Sequence, residues 1–210
     1  MNPCALAVFS ILACGPGKVR HEPSRIDSVI LLERFSSGAP QGFSFDRVGT
    51  WSVRSGRLVA VLPSEKQKHS FAYFGSEDWT DYAVDVDVCA IRGVDKGVVV
   101  RVRAQEGVGV DLRGPGYDDV VMYRGIEELG KATAPNRNGR WHHLRVEVEG
   151  GRYRVYVNGR LKIDYLDEHN ERPSGRVALA AYTGGIGQCE VRYDNVVVRS
   201  LGGPRASRDP

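Results

Sequence analysis

The chain has 210 residues, 41% of them hydrophobic and 26% charged. That length fits one large sandwich or two small domains, and that composition supports a sizeable core and excludes disorder as the default. The net charge of +3 comes from 29 basic residues against 26 acidic ones, scattered along the chain, so the concentrated cationic footprint of a nucleic-acid binder is missing.

Residues 5–13 form an apolar run that is too short to cross a bilayer as a helix. The stretch 11–15 resembles a bacterial lipoprotein signal, in which Cys14 would become the lipid-bearing first residue of the mature protein. Segment 1–14 therefore reads as an export signal of lipoprotein or secretory type, beside the plain reading of an apolar N-terminus. Residues 15–26 carry Gly, Pro and charge without periodicity, as a linker would. The expectation is an extracytoplasmic protein of the bacterial cell envelope that touches a membrane only through such an anchor.

From residue 27 to residue 201 the chain changes to short alternating apolar segments separated by Gly, Asn, Asp and Pro, which predicts a single all-β domain. Residues 50–53 and 57–62 flank a turn at Ser55 and Gly56. Residues 82–88 alternate Val84, Val86 and Val88 with Asp85 and Asp87, the pattern of a strand with one buried side. Residues 97–103 and 107–113 form the next pair. Residues 126–132 hold the one weak helical pattern, undermined by Gly125 and Gly130. Residues 143–148, 152–157 and 161–164 then read as three strands in meander order, joined at 149–151 and at Asn158 and Gly159, whose types tolerate positive φ. Residues 202–210 read as a disordered tail.

Several pieces in this order resemble the concanavalin A-like superfamily, with its laminin-G-like domains and its bacterial domains related to 3-keto-disaccharide hydrolases. They are Phe35 with 38–43, 49–53 with 55–58, Trp79 to Tyr82, 97–101, Trp141 to Val146 with 155–159, 175–179, and 191–196. The resemblance implies a concanavalin A-like antiparallel β-sandwich, or jelly roll, and carbohydrate recognition as its commonest task. A fold hosts many functions, so the site must carry the argument.

Sugars are held by planar groups on their apolar faces and by forked donors and acceptors at their hydroxyls. The richest supply lies in Arg101, Arg103, Asp111, Arg113, Tyr117, Asp118, Asp119 and Tyr123. By alternation Arg101 and Arg103 share one face of their strand, as do Asp111 and Arg113 of theirs, and hairpin pairing would cluster them. A solvated face laced with Arg–Asp pairs is the competing reading. Trp51, Trp79 and Trp141 fit core or rim packing better than a stacking platform. His142 and His143 point to opposite faces and do not suit one ion.

The superfamily resemblance admits calcium, with Glu33 and Asp194 as the candidate carboxylates if their strands adjoin. The Glu-x-Asp-x-x-Glu strand motif of sandwich-fold glucanases is absent, and no phosphate loop, Ser-His-Asp pattern or CxxC pair occurs. Export would permit a disulfide between Cys89 and Cys189, but strand parity aims the thiols at opposite faces unless a bulge shifts the register. The leading expectation is a glycan- or ligand-binding module without a catalytic site. The alternatives are a carbohydrate-active enzyme of the 3-keto-disaccharide hydrolase type and a structural envelope component.

Overall fold

The computed structural model describes residues 26–36, 38–47 and 50–202. Cys14, the 1–14 signal, nearly all of the 15–26 linker and the tail beyond 202 lie outside the described residues.

Among the described residues, fifteen strands in two antiparallel sheets make a sandwich, as the alternation predicts. In chain order they are β1 (Ile26–Glu33), β2 (Phe43–Phe45), β3 (Trp51–Arg54), β4 (Arg57–Leu62), β5 (His69–Phe74), β6 (Tyr82–Arg92), β7 (Asp95–Arg103), β8 (Glu106–Arg113), β9 (Asp119–Arg124), β10 (Glu127–Thr133), β11 (His142–Glu149), β12 (Arg152–Val157), β13 (Arg160–Leu166), β14 (Arg176–Tyr182) and β15 (Cys189–Leu201). The eight-stranded sheet runs β13-β12-β11-β6-β15-β4-β3, with β1 added alongside the second half of β15. The seven-stranded sheet runs β10-β9-β8-β7-β14-β5-β2. The weak helical pattern at 126–132 falls in β10, because its glycines remove helix propensity while β9 offers an edge to pair with.

Alternation puts Val84, Val86, Val88, Leu144, Val146, Val155, Val191 and Val198 into one core with Val98, Val100, Val110, Leu112, Val120 and Leu179 of the facing sheet. Two tyrosines bolt the sheets together through that core. The Tyr82 hydroxyl on β6 accepts the Arg101 N–H of β7 at 2.8 Å, and the Tyr193 hydroxyl on β15 accepts the Gly97 N–H at 3.1 Å while donating to a carbonyl of the facing sheet. Buried phenols need such partners, since an unpaired polar group in an apolar interior costs about 1–3 kcal/mol.

The β12–β13 turn at Asn158 and Gly159 has φ of 50° and 75°, as its residue types suggested. The β7–β8 turn is built from Ala104 and Gln105 at φ of 47° and 66°, a conformation that nothing in those residue types announces. Cys189 is part of the core between the sheets, whereas Cys89 is buried outside that core cluster, and both thiols are free. Parity therefore decides the matter against a disulfide.

Candidate functional site

The two outer faces differ in chemistry. On the eight-stranded sheet, cations and anions alternate and satisfy one another. Asp85 is buried beneath Arg145, Arg199 and His143. Glu147 takes Arg145 and Arg154, Arg152 is bidentate on Asp164, and Asp87 accepts from His143 and Asn195. Asp85 is thus not the solvent-facing residue that its spacing suggested. Burial pushes its carboxyl up, but the His143 hydrogen bond and the Arg145 charge overcome this and hold it below the usual range. This is the competing face of paired charges.

On the seven-stranded sheet, three rows of outward positions cross the strands. The first contains Tyr73, Ala178, Val99, Gly109 and Tyr123, and the second Phe71, Ala180, Gly97, Asp111 and Val121. The third contains His69, Tyr182 and Asp95, with Arg113 and Asp119 on β8 and β9. Small residues at Ala178, Val99, Gly109, Ala180 and Gly97 leave a furrow between the rings of β5 on one side and Tyr123 on the other. Two contiguous hollows of about 410 and 540 Å³ follow it and share His69, Tyr123 and Gly125.

The β5 wall of the furrow is a run of rings. His69 stacks on Tyr182 with centroids 3.9 Å apart, Phe71 lies 6.1 Å from His69 and 5.8 Å from Tyr73, and Arg176 covers Tyr73 at 4.6 Å. The β9 wall is Tyr123, which crosses Gly109 and donates its hydroxyl to Asp111 Oδ2 at 2.9 Å. Beyond it, Arg113 is held bidentate by Asp119 at 2.7 and 2.8 Å and lies 4.5 Å over the Tyr117 ring. The guanidinium is thereby fixed in its plane.

Asp111 and Asp95, unlike Asp119, are not paired as Asp85 is. Burial, followed by the charge of Asp95, pushes the Asp111 carboxyl up to about 7. Burial also raises Asp95, and burial together with the neighbouring Asp111 keeps the Tyr123 phenol protonated far above its usual range. Burial and then Arg47 hold His69 below its ordinary value, so its ring is a neutral stacking surface at pH 7.

Of the eight residues expected to bind ligand, Asp111, Arg113, Tyr117 and Tyr123 line the furrow. Asp119 supports it through Arg113. Arg101 does not belong there. A bulge between Val100 and Arg103 puts Arg101 at φ of 55° and turns its side chain inward, where it is fully buried and donates to the carbonyls of Arg172 and Gly150. The same bulge breaks the shared face with Arg103, which points into solvent toward Glu77 and Asp78. Asp118 is an exposed turn residue at φ of 50° whose carbonyl accepts from Ala134.

His69, Phe71, Tyr73, Asp95 and Tyr182 are functional candidates that the sequence reading passed over. The period-two ring pattern of β5 was the available signal. Trp51 is buried, Trp79 packs against the core, and Trp141 lies on the rim beneath Arg57, 5.3 Å from its ring.

Glu33 and Asp194 do not fit calcium. β1 does adjoin β15, but Glu33 is engaged by the Phe35 N–H, and Asp194 by the Asn195 N–H and Arg57. Among the described residues, no three His, Cys, Asp or Glu side chains gather as a metal site. Calcium needs six to eight oxygen ligands.

The family of 3-keto-alpha-glucoside-1,2-lyase-like domains matches residues 38–199. No curated protein matches the chain. Among solved structures, the carbohydrate-binding module CBM66 from Bacillus subtilis is similar at 19% identity and a TM-score of 0.62, over 76% of this chain and 96% of that one. The exoplasmic/lumenal domain of VIP36 in its Ca2+/Man3GlcNAc-bound form is similar at 16% identity and a TM-score of 0.61, over 79% and 86%. A protein of unknown function with a galectin-like fold from Bacillus subtilis is similar at 9% and 0.67, over 87% and 100%. At these identities the likeness concerns the fold, which is the concanavalin A-like lectin sandwich. The family match spans most of the sequence and includes every strand that builds the furrow, and the chain belongs to the family of 3-keto-alpha-glucoside-1,2-lyase-like domains.

Proposed function

We propose that the furrow on the seven-stranded sheet binds a carbohydrate. One observation carries this reading: a wall of stacked rings faces a tyrosine, an aspartate and an oriented guanidinium across a floor of small residues. The rings of Phe71, Tyr73 and Tyr182 suit the C–H faces of a pyranose. Asp111, Tyr123 and Arg113 suit its hydroxyls. The CBM66 module and the glycan-bound VIP36 domain support it as proteins of like fold. The test is a glycan-array screen followed by calorimetry on any hit. Saturable binding that Tyr182→Ala and Arg113→Ala weaken at least tenfold, with calcium and chelator giving equal affinity, is expected. A folded sample that binds no glycan would overturn it.

The proposal includes display outside the cytoplasm, through the 1–14 signal and lipidation at Cys14. Its support is the resemblance of 11–15 to a lipoprotein signal. Feeding cells an alkyne fatty acid should label the protein, and Cys14→Ser should remove the label. An unlabelled wild-type protein would refute the anchor.

A second reading, catalysis of the family's lyase type, is favoured by the family match together with a near-neutral carboxylate in the furrow. It replaces hydrolysis with elimination. The assay is release of aglycone from a 3-keto-alpha-glucoside, and no release above the buffer rate would exclude it.

A further inference from the structure

We propose that β1 rests on the lipid bilayer that receives the Cys14 anchor, through the exposed side chains of Val29, Ile30 and Leu32. The proposal rests on the anchor reading above and adds to it the surface of the domain that meets lipid.

The middle of β1 is Ser28, Val29, Ile30, Leu31 and Leu32, a stretch without a charge. β13, which ends the same sheet on its far side, instead carries Arg160, Lys162 and Asp164. Charges of that kind blunt a sheet edge, whose open N–H and C=O groups otherwise recruit a partner. Among the described residues β1 pairs with β15 alone, so its other edge is open.

Register decides where these side chains go. Leu31 lies opposite Val198 and packs against the core. Leu32 lies opposite Val197 and Val29 opposite Arg199, whose guanidinium reaches Asp85 on the outer face. A spacing of three would put Val29 and Leu32 on opposite faces of a regular strand. The bulge between Val29 and Leu31 leaves Ile30 without a partner on β15 and returns the two to one side. Val29, Ile30 and Leu32 are 55%, 40% and 54% exposed. Apolar side chains gathered in water on an unblunted edge mark an interaction surface.

Two observations name the bilayer as the occupant. Only residues 15–25 separate Cys14 from β1. A stretch of that length reaches about 40 Å at most, so an anchor at Cys14 holds β1 closer to the lipid along the chain than any other strand. The same stretch carries Lys18, Arg20 and Arg25 against Glu22, an excess of positive charge that suits anionic headgroups. Apolar side chains beside cations are what an interfacial contact needs. Because Val29 and Leu32 lie on the outer face of the eight-stranded sheet, this contact turns the furrow of the other sheet away from the bilayer and leaves it open to glycans.

The experiment uses the full chain carrying its lipid, reconstituted into vesicles of phosphatidylethanolamine and phosphatidylglycerol with part of the acyl chains brominated. A thiol-reactive fluorophore is placed at Ile30→Cys in one preparation and at Ile126→Cys, exposed beside the furrow, in another. The native Cys89 and Cys189 are buried and stay unlabelled. Bromine should quench the label at position 30 roughly threefold or more beyond the label at position 126. Val29→Ser with Leu32→Ser replaces exposed side chains, so it should keep the melt while bringing quenching at position 30 down to the level at 126. Equal quenching at both positions, in a protein whose mass shows the lipid, overturns the β1 contact and leaves the anchor standing. An unquenched label at position 30 in a protein that is dimeric in detergent assigns the strand to a second copy and also overturns it. A protein whose mass shows no lipid overturns the anchor reading and this proposal with it.

Discussion

The ring of Tyr123 lies over Gly109 so closely that a β-carbon on Gly109 would stand 2.5 Å from the ring. Real β-carbons do not approach other atoms so closely, so the two residues fix one another: glycine admits the ring, and the ring carries the hydroxyl to Asp111. Gly109→Ala should therefore displace Tyr123 rather than unfold the strand. We expect sugar affinity to fall at least tenfold while stability drops by about 1–3 kcal/mol, the range for local overpacking. Calorimetry with a thermal melt measures both, and unchanged affinity would contradict this account of the wall.

Arg101 and Arg113 should separate stability from binding. Arg101→Ala leaves the carbonyls of Gly150 and Arg172 and the Asp81 carboxylate without their buried cation. A loss of roughly 3 kcal/mol or more is expected in denaturant unfolding. Arg113→Ala should weaken binding and cost less stability than Arg101→Ala, because its guanidinium is partly exposed, although the buried Asp119 beneath it loses its partner. The reverse pattern would place Arg101 at the site.

The Asp111 carboxyl titrates near 7 in the folded chain against about 3.9 when unfolded. Its raised folded value means that ionisation opposes folding, with a cost absent below pH 4 that grows up to pH 7. Asp111→Asn should therefore stabilise the protein above pH 7, by no more than about 4 kcal/mol, and change little at pH 4. Melts at both pH values check this. A variant less stable at pH 8 would show that the carboxylate is favourably paired.

His143 behaves in the opposite sense. Its hydrogen bond to Asp85, opposed by burial and aided by Asp87, raises it to about 8. Its stabilising contribution is fully present below the unfolded value near 6.5 and is lost as pH rises through 8. His143→Gln should flatten the pH dependence of stability across that window. An NMR titration placing His143 below 6.5 would refute the clamp.

The fold was legible because one period, two residues, runs through nearly every strand, and Val84, Val86 and Val88 point where parity puts them. Asp111, Arg113 and Tyr123 were legible for the same reason. Arg101 was not, since a single inserted residue reverses facing and leaves no mark in residue type. His69, Phe71 and Tyr73 were obscured because Ala72 and Phe74 between them are also apolar, so the strand shows no contrast between its faces. Asp85 was misread because its cations come from β11 and β15, far away in sequence.

The most direct test of the central claim is amide chemical-shift mapping while a neutral glycan hit is titrated into the labelled protein. The account predicts saturable shifts concentrated at Phe71, Gly109, Asp111, Tyr123 and Tyr182. Shifts centred instead on Asp85, His143 and Arg145, or no saturable shift at all, would contradict a carbohydrate site on the seven-stranded sheet.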